Sequence, residues 1–394
     1  MPDYSELKTM AKRDRLRTIG GLERLRAQLD TEIPQKTRDA TLVLGTWNIR
    51  NFDDNRFMNG ERTTEDLTYI AEIIARFDIL AVQEVCDDLT PLLKVMEMLG
   101  PDFDFIVTDV TEGRGGNRER LGFIYDQSKA AFQGVAGELV LPDNLQIVDE
   151  GKKRQFSRTP FMCSFRSGWF KFMFSTVHIY FGSPSGPKYE RRVKEIGRVA
   201  SFLAKRAKDD NRNHILVGDF NIVKSGSKGH NALKRRGFQV FQNRLGSNKD
   251  QTKFYDQISF RVRENELRFV ESERARGVLQ IFDSIYREDD FPAYQDALKK
   301  TVNVKIAKIQ GEIAEQQAKL AKAGSASTKK RLRTSIAKKK KGITGWKAHL
   351  ASEAKLKTYY LKEWRTFHGS DHLPLWVVLE IDFSGAYLEH LKTI

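Results

Sequence analysis

Short apolar runs that end in polar residues recur along this chain, and they constrain its fold more than any other feature. TLVLGTWNI (41–49) runs into Asn48, and ILAVQEV (79–85) carries Gln83 and Glu84 at its end. GFIYD (122–126) is a third run, and FMCSFRSGWFKFMFSTVHI (161–179) reads as two strands joined at a Ser167-Gly168 turn, with His178 at the far end. HILVGDF (214–220) leads into Asp219 and Asn221, FYDQISF (254–260) holds Tyr255 and Asp256, and Ser370-Asp371-His372 precedes LPLWVVLEI (373–381). Helical patterns lie between them. Thr63 and Asp66 form a capping-box pattern ahead of Leu67, Ile70, Ile74 and Phe77. Another helix follows Pro187, with Val193, Ile196, Ala200 and Leu203 expected to face inward. Many strands, some paired as hairpins and separated by helices, predict an α/β sandwich of two sheets covered by helices.

Residues 1–40 read as a basic, partly helical lead-in with Leu16, Ile19, Leu22 and Leu25 at helical spacing. No run approaches the roughly 18 apolar residues that a membrane helix needs. The first residues are charged throughout, without the apolar stretch of a signal peptide. The two Cys, Cys86 and Cys163, sit in apolar runs and read as buried reduced thiols rather than a disulfide framework. The expectation is a cytoplasmic protein.

The charge is local. Of the net +15, residues 299–363 supply +14, with 18 Lys/Arg against 4 Glu. Val302, Ile306, Ile309, Ile313 and Leu320 follow a 4-3 spacing, with Gln316 in one slot. Leu332, Ile336, Ile343, Trp346 and Leu350 do the same, with Lys339 interrupting and Gly342 and Gly345 weakening the arm. AGSAS (323–327) turns between them, so the segment predicts a Lys-rich helical hairpin. The expected division is 1–40 lead-in, 41–298 with 364–394 catalytic domain, and 299–363 inserted hairpin.

A strand that runs into Asp, Asn, Glu or His places that side chain at a rigid sheet rim, where α/β folds build sites. Asn48, Glu84, Asp219, Asn221 and Asp371 offer hard oxygen ligands, which suit Mg²⁺ or Mn²⁺ better than Zn²⁺. Two His residues near carboxylates can move protons and bond a phosphate. Each fragment alone is weak: Gly-Asp-x-Asn is more often a turn, and a His on an apolar strand more often a core residue. The ordered set carries the signal.

That series, WN (47–48), QE (83–84), His178, GDFN (218–221), YD (255–256) and SDH (370–372), resembles the endonuclease/exonuclease/phosphatase superfamily over about 41–296 and 364–383. It is most similar to the deoxyribonuclease I-like nucleases, through NRERLGFIYD (117–126) and FSRTP (156–160). The resemblance implies a Mg²⁺-dependent DNA endonuclease. It implies that Asn48 and Glu84 hold the metal with Asp371 nearby, and that Asp219 and Asn221 act on the scissile phosphate and the attacking water. It also implies two His–carboxylate pairs, His178 with Glu119 and His372 with Asp256, either imidazole serving as base or acid. Arg158 is implied to contact a backbone phosphate, the alternative being a surface ion pair.

The chain departs from the family in the hairpin, which enters just before Asp371 and His372. Three uses compete for it. Lys338, Lys339, Lys340 and Lys341 lead a nucleic-acid clamp, the apolar seam serves a protein partner or self-association, or the face is merely solvated. A lipid-headgroup or phosphoinositide phosphodiesterase or phosphatase, an RNase, and a catalytically inactive binding module are the rival functions. The few aromatics of the hairpin, Trp346, Tyr359 and Tyr360, weigh against the lipid reading.

Overall fold

A computed structural model describes residues 2–111, 117–210, 212–241, 243–263 and 266–392. The apolar runs form two mixed sheets. The first has Arg268–Phe269, Leu375–Glu380, Thr41–Phe52, Ile79–Val85, Arg120–Asp126 and Phe103–Val107 in spatial order, with Arg276–Val278 also paired to Leu375–Glu380. The second has Gln239–Val240, Asp256–Arg261, Asn213–Asp219, Phe170–His178, Phe161–Ser167 and Ala131–Glu138. Their inner strands pack face to face. Phe123 of the first sheet meets Phe161 and Phe174 of the second, with ring centroids 5.5 and 4.8 Å apart. Each buried Phe contributes roughly 1.5–3 kcal/mol. This is the two-sheet α/β sandwich that the strand pattern predicts.

The chain divides into two compact units, Met1–Asp54 with Arg62–Ile285 and Gly369–Ile394, and Asn55–Glu61 with Tyr286–His368. Both sheets belong to the first. Helix Gly186–Asp209 lays Ile196, Val199, Ala200 and Leu203 on the second sheet. Val193, expected inward, is half-buried, and Arg192 and Glu195 are buried instead. Helix Thr64–Ile74 opens with the capping box of Thr63 and Asp66. Helix Lys12–Glu32 packs beside it, so residues 12–32 are part of this unit rather than a separate lead-in. Its inner stripe is Thr18, Leu22, Leu25 and Leu29, whereas Leu16 is 58% exposed. The stripe is rotated because Arg17 pairs with Glu65 at 2.5 Å and Tyr69 donates its hydroxyl to the Thr18 carbonyl at 3.2 Å.

In the second unit, helices Phe291–Ala321 and Ala326–Leu350 pack against each other as a hairpin. The first arm begins eight residues ahead of the expected 299. Pro292 starts it, and Phe291, Tyr294 and Leu298 extend its buried stripe. The second arm runs unbroken through Gly342 and Gly345. Lys339, in the interrupted slot, pairs with Glu312 of the first arm. Asn55–Glu61 is stapled into this unit by Asn59, whose Oδ1 accepts from Lys305 Nζ at 2.7 Å and from the Tyr359 hydroxyl at 2.9 Å. Lys305 also lies 4.4 Å from the Trp346 ring and 4.8 Å from that of Tyr359. Tyr359 and Tyr360 are core residues.

Candidate active site

Strand register assembles most of the site. Asp219 pairs with His178 on one side and with Asp256 on the other, so the second sheet carries the three in one row. On the first sheet Asn48 pairs with Gln83, and Glu84 follows. Gln83 Nε2 donates to Thr176 Oγ1 at 2.8 Å and ties the two sheets together beneath the site. Ser370 fixes the last segment. Its hydroxyl donates to the Asn48 carbonyl at 2.7 Å and accepts from the Arg50 and His372 amides at 3.1 and 3.2 Å. Trp47 Nε1 donates to the His372 carbonyl at 3.0 Å.

Local backbone conformation aims the polar groups. Glu84 and Asn221 have φ of 62° and 53°, in the left-handed region that side chains other than glycine enter at a cost. Gly218 has φ 121°, and a Cβ there would collide with the Val177 carbonyl, so the turn carrying Asp219 requires glycine. The Asn221 amide donates to Asp219 Oδ1 at 2.7 Å and locks the turn.

The result is two His–carboxylate pairs converging on one carboxylate. His178 Nδ1 lies 3.1 Å from Glu119 Oε2, and His372 Nδ1 lies 2.8 Å from Asp256 Oδ2. Both Nε2 atoms turn to Asp219 Oδ2, at 3.5 and 3.8 Å. A carboxylate on Nδ1 fixes ring orientation and tautomer, leaving Nε2 for proton transfer. Behind Glu119, Arg158 Nε sits 2.6 Å from Oε2. Glu119 meets Arg158 as a close ion pair, and neither that contact nor the one with His178 is an aligned hydrogen bond. Burial alone raises the Glu119 carboxyl, but the charges of His178 and Arg158 outweigh it and hold the group well below the usual carboxylate range. Burial raises Asp256, and His372 is raised because Asp256 and Asp219 outweigh its own burial. That pair therefore holds a proton tightly.

Arg158 is buried in this ion pair. The ion pair that Arg158 makes is thus internal rather than on the surface. Lys338, Lys339, Lys340 and Lys341 all lie on the second arm of the hairpin unit.

Asn48 Nδ2 donates to Glu84 Oε1 at 3.0 Å and to Asp219 Oδ2 at 3.3 Å, while the Asn51 amide donates to Glu84 Oε2 at 2.9 Å. Two carboxylates thus fix the amide orientation, and Asn48 Oδ1 is left buried without a partner. An orphaned amide oxygen on the residue that touches Glu84 is a hard donor of the kind a divalent cation takes. Glu84, Glu119 and His178, and Asp219, Asp256 and His372, also bring possible ligand atoms within 4.8 Å of one another. In both clusters the imidazole Nδ1 is already paired to its own carboxylate, which favours the Asn48–Glu84 oxygens. Asp371 is more open, 43% exposed, with Oδ2 3.9 Å from Arg50 Nε.

Three neighbours carry no sequence signal of their own. Ser247 donates to Asp256 Oδ2 at 2.6 Å and accepts from the Asp256 amide at 2.9 Å. Tyr255 stacks on His372 with ring centroids 5.4 Å apart, and Lys253 lies 5.5 Å from the Tyr255 ring. Tyr255 is legible only as part of a dipeptide, and Ser247 and Lys253 lie in a polar loop without periodicity.

The model of the endonuclease/exonuclease/phosphatase family matches residues 45–271. The chain belongs to that family. The match spans the segments carrying Asn48, Glu84, Glu119, His178, Asp219 and Asp256 and stops short of His372. A deoxyribonuclease of Thioalkalivibrio sp. is 29% identical over 188 residues, 46% of this chain and 47% of that protein. Deoxyribonuclease-1 of Equus caballus is 26% identical over 189 residues, 46% of this chain and 61% of that protein. The chain thus spans about half the length of these relatives. Among solved family structures, a mannosyl-6-phosphatase of Bacteroides thetaiotaomicron superposes with TM-score 0.46 and 19% identity, covering 61% of this chain and 90% of that one. Among the described residues, no helix of the family member is long and apolar enough to cross a membrane.

Proposed function

We propose that this chain is a divalent-metal-dependent phosphodiester hydrolase that cleaves nucleic-acid backbone as a DNA endonuclease. The observation that carries the reading is the convergence of His178 and His372, each backed by its own buried carboxylate, on Asp219 Oδ2. Phosphodiester hydrolysis needs one group to take a proton from the attacking water and another to protonate the leaving oxygen. One Nε2 accepts the water proton as the oxygen–phosphorus bond forms. The other donates its proton to the departing ester oxygen as the old bond breaks. Glu119 and Asp256 hold the two rings and stabilise whichever imidazolium forms. Asp219 and the Asn221 segment position the water and the phosphate between them.

Asn48 Oδ1 and Glu84, with Asp371 at the open side, would hold Mg²⁺ or Mn²⁺, whose Lewis acidity stabilises charge on the phosphoryl oxygens. A positioned acid or base is worth about 10²–10⁴ in rate, against overall enzyme accelerations of about 10⁶–10¹⁷, so charge stabilisation must carry much of the effect. The relatives bearing the name deoxyribonuclease support DNA as the substrate. The two free, buried cysteines support action in the cytoplasm.

Equal-length duplex DNA, single-stranded DNA and RNA, each incubated with Mg²⁺, test the substrate class. Cleavage of duplex DNA at the highest rate supports the proposal. Faster cleavage of RNA would replace it with an RNase, and hydrolysis of phosphoinositides alone would replace it with the lipid reading.

A further inference from the structure

The second arm of the hairpin, Ala326–Leu350, carries nine Lys or Arg and no Asp or Glu in its 25 residues. Its apolar face is already used. Ile336 is buried and Leu332, Ile343 and Trp346 are half-buried where the arm packs on Phe291–Ala321. That face is therefore occupied within the hairpin. The outward face presents Lys330, Arg333, Lys338, Lys340, Lys341 and Lys347, all exposed. Among the described residues, Lys339 is the only cation of this arm in an ion pair. Like charges three and four apart on a helix repel, so an uncompensated row calls for counter-charge from outside.

We propose that this face binds the phosphate backbone of a nucleic-acid duplex without reading its sequence. The proposal deepens the nucleic-acid reading above by assigning a second surface of contact with the substrate, away from the hydrolytic residues in sequence. The cations run from Lys330 to Lys347, roughly 26 Å at about 1.5 Å per residue, against about 34 Å for one turn of B-form duplex. Lysine predominates, a point charge on a flexible stem suited to phosphates rather than to forked contacts with bases. The positions between the cations hold Thr334, Ala337 and Thr344, which are small and exposed. A helix lying on a lipid surface needs large apolar side chains on its membrane face. Here those side chains are turned inward, with Trp346 set beside Lys305 and Tyr359. The charge complementarity therefore favours a duplex over a membrane.

The test uses the full chain in EDTA, so that binding is read without cleavage. A labelled duplex is titrated by fluorescence anisotropy across a range of KCl, with wild type beside a variant carrying Lys330→Gln, Arg333→Gln, Lys340→Gln, Lys341→Gln and Lys347→Gln. The slope of log Kobs against log salt should fall by about 0.9 for each phosphate that is no longer neutralised, and by roughly 3 or more for the set. The variant should keep wild-type hydrolysis of a small phosphodiester, bis(p-nitrophenyl) phosphate, and wild-type helicity by circular dichroism. An unchanged salt slope and affinity would overturn the proposal. So would an unchanged slope together with weakened sedimentation on phosphatidylserine vesicles, which would assign the face to a membrane. Absence of small-diester hydrolysis in wild type itself would instead strike the hydrolase reading, leaving the binding result to stand.

Discussion

His372 presents Nδ1 to Asp256 Oδ2 at 2.8 Å, in a contact buried on the Asp256 side. The same oxygen accepts the Ser247 hydroxyl at 2.6 Å. Asp256 is thus held from two directions, and its orientation sets that of the imidazole. Ser247→Ala removes one of those holds and leaves a buried acceptor short of a donor, at a cost of about 1–3 kcal/mol in stability. The expected result is a lower Tm with kcat reduced roughly tenfold, the rate equivalent of about 1.4 kcal/mol. Thermal melts and steady-state kinetics on one preparation check it. An unaltered kcat would show that Asp256 needs no such support.

The two imidazoles predict parallel losses. His178→Ala and His372→Ala should each lower the cleavage rate by about 10²–10⁴ while leaving measurable metal-dependent activity. The double variant should fall by less than the product of the two losses, because both rings face Asp219 Oδ2 and serve one step. Full additivity would separate them into independent roles.

Glu84 should govern the metal requirement. Its Oε1 lies beside Asn48 Nδ2 at 3.0 Å, next to the partnerless Asn48 Oδ1. Glu84→Ala should weaken the apparent Mg²⁺ affinity by roughly tenfold or more, since even groups standing behind metal ligands are worth about 10–100-fold. Excess Mg²⁺ should restore part of the rate. A normal Mg²⁺ titration in this variant would remove Glu84 from the metal site.

Glu119 ties stability to pH. Its folded-state carboxyl is lowered by His178 and Arg158 against the raising effect of burial, so folding favours the ionised form. That contribution is complete above the ordinary carboxylate range and is lost as pH falls through the lower folded value. Wild type should melt above Glu119→Gln at pH 7, and the gap should narrow toward pH 3. A gap that stays constant over this range would contradict the ion-pair account.

Burial pushes the Cys163 thiol up to about 12, and Cys86 is buried as well. Both should resist iodoacetamide at pH 8 in the native protein and react after unfolding in guanidinium. Intact-mass spectrometry reads the difference. Native labelling of either thiol would show that its cover opens.

Much of the site is legible in the sequence because strands carry it. An apolar run followed by Asn48, Glu84, His178 or Asp219 is visible in one dimension, and strand register then brings His178, Asp219 and Asp256 into one row. Ser247 is invisible for the opposite reason: it sits in a polar loop, and its role exists only through the Asp256 contact. Arg158 Nε faces Glu119 across 39 residues of sequence, a pairing that no local pattern announces. The helical spacing of Leu16, Ile19, Leu22 and Leu25 gives a face but not its angle, which the Arg17–Glu65 pair and the Tyr69–Thr18 bond set. The hairpin boundary depends on tertiary contacts too. Asn59 reaches Lys305 and Tyr359 across more than 200 residues of sequence, which no local pattern announces.

Metal-dependent hydrolysis through His372 is tested by nicking of supercoiled plasmid with Mg²⁺, Mn²⁺ or EDTA, with His372→Ala beside wild type. Relaxed circles are expected with either metal, none in EDTA, and a loss of about 10²–10⁴ in the variant. Nicking that persists in EDTA, or that His372→Ala retains in full, would contradict it.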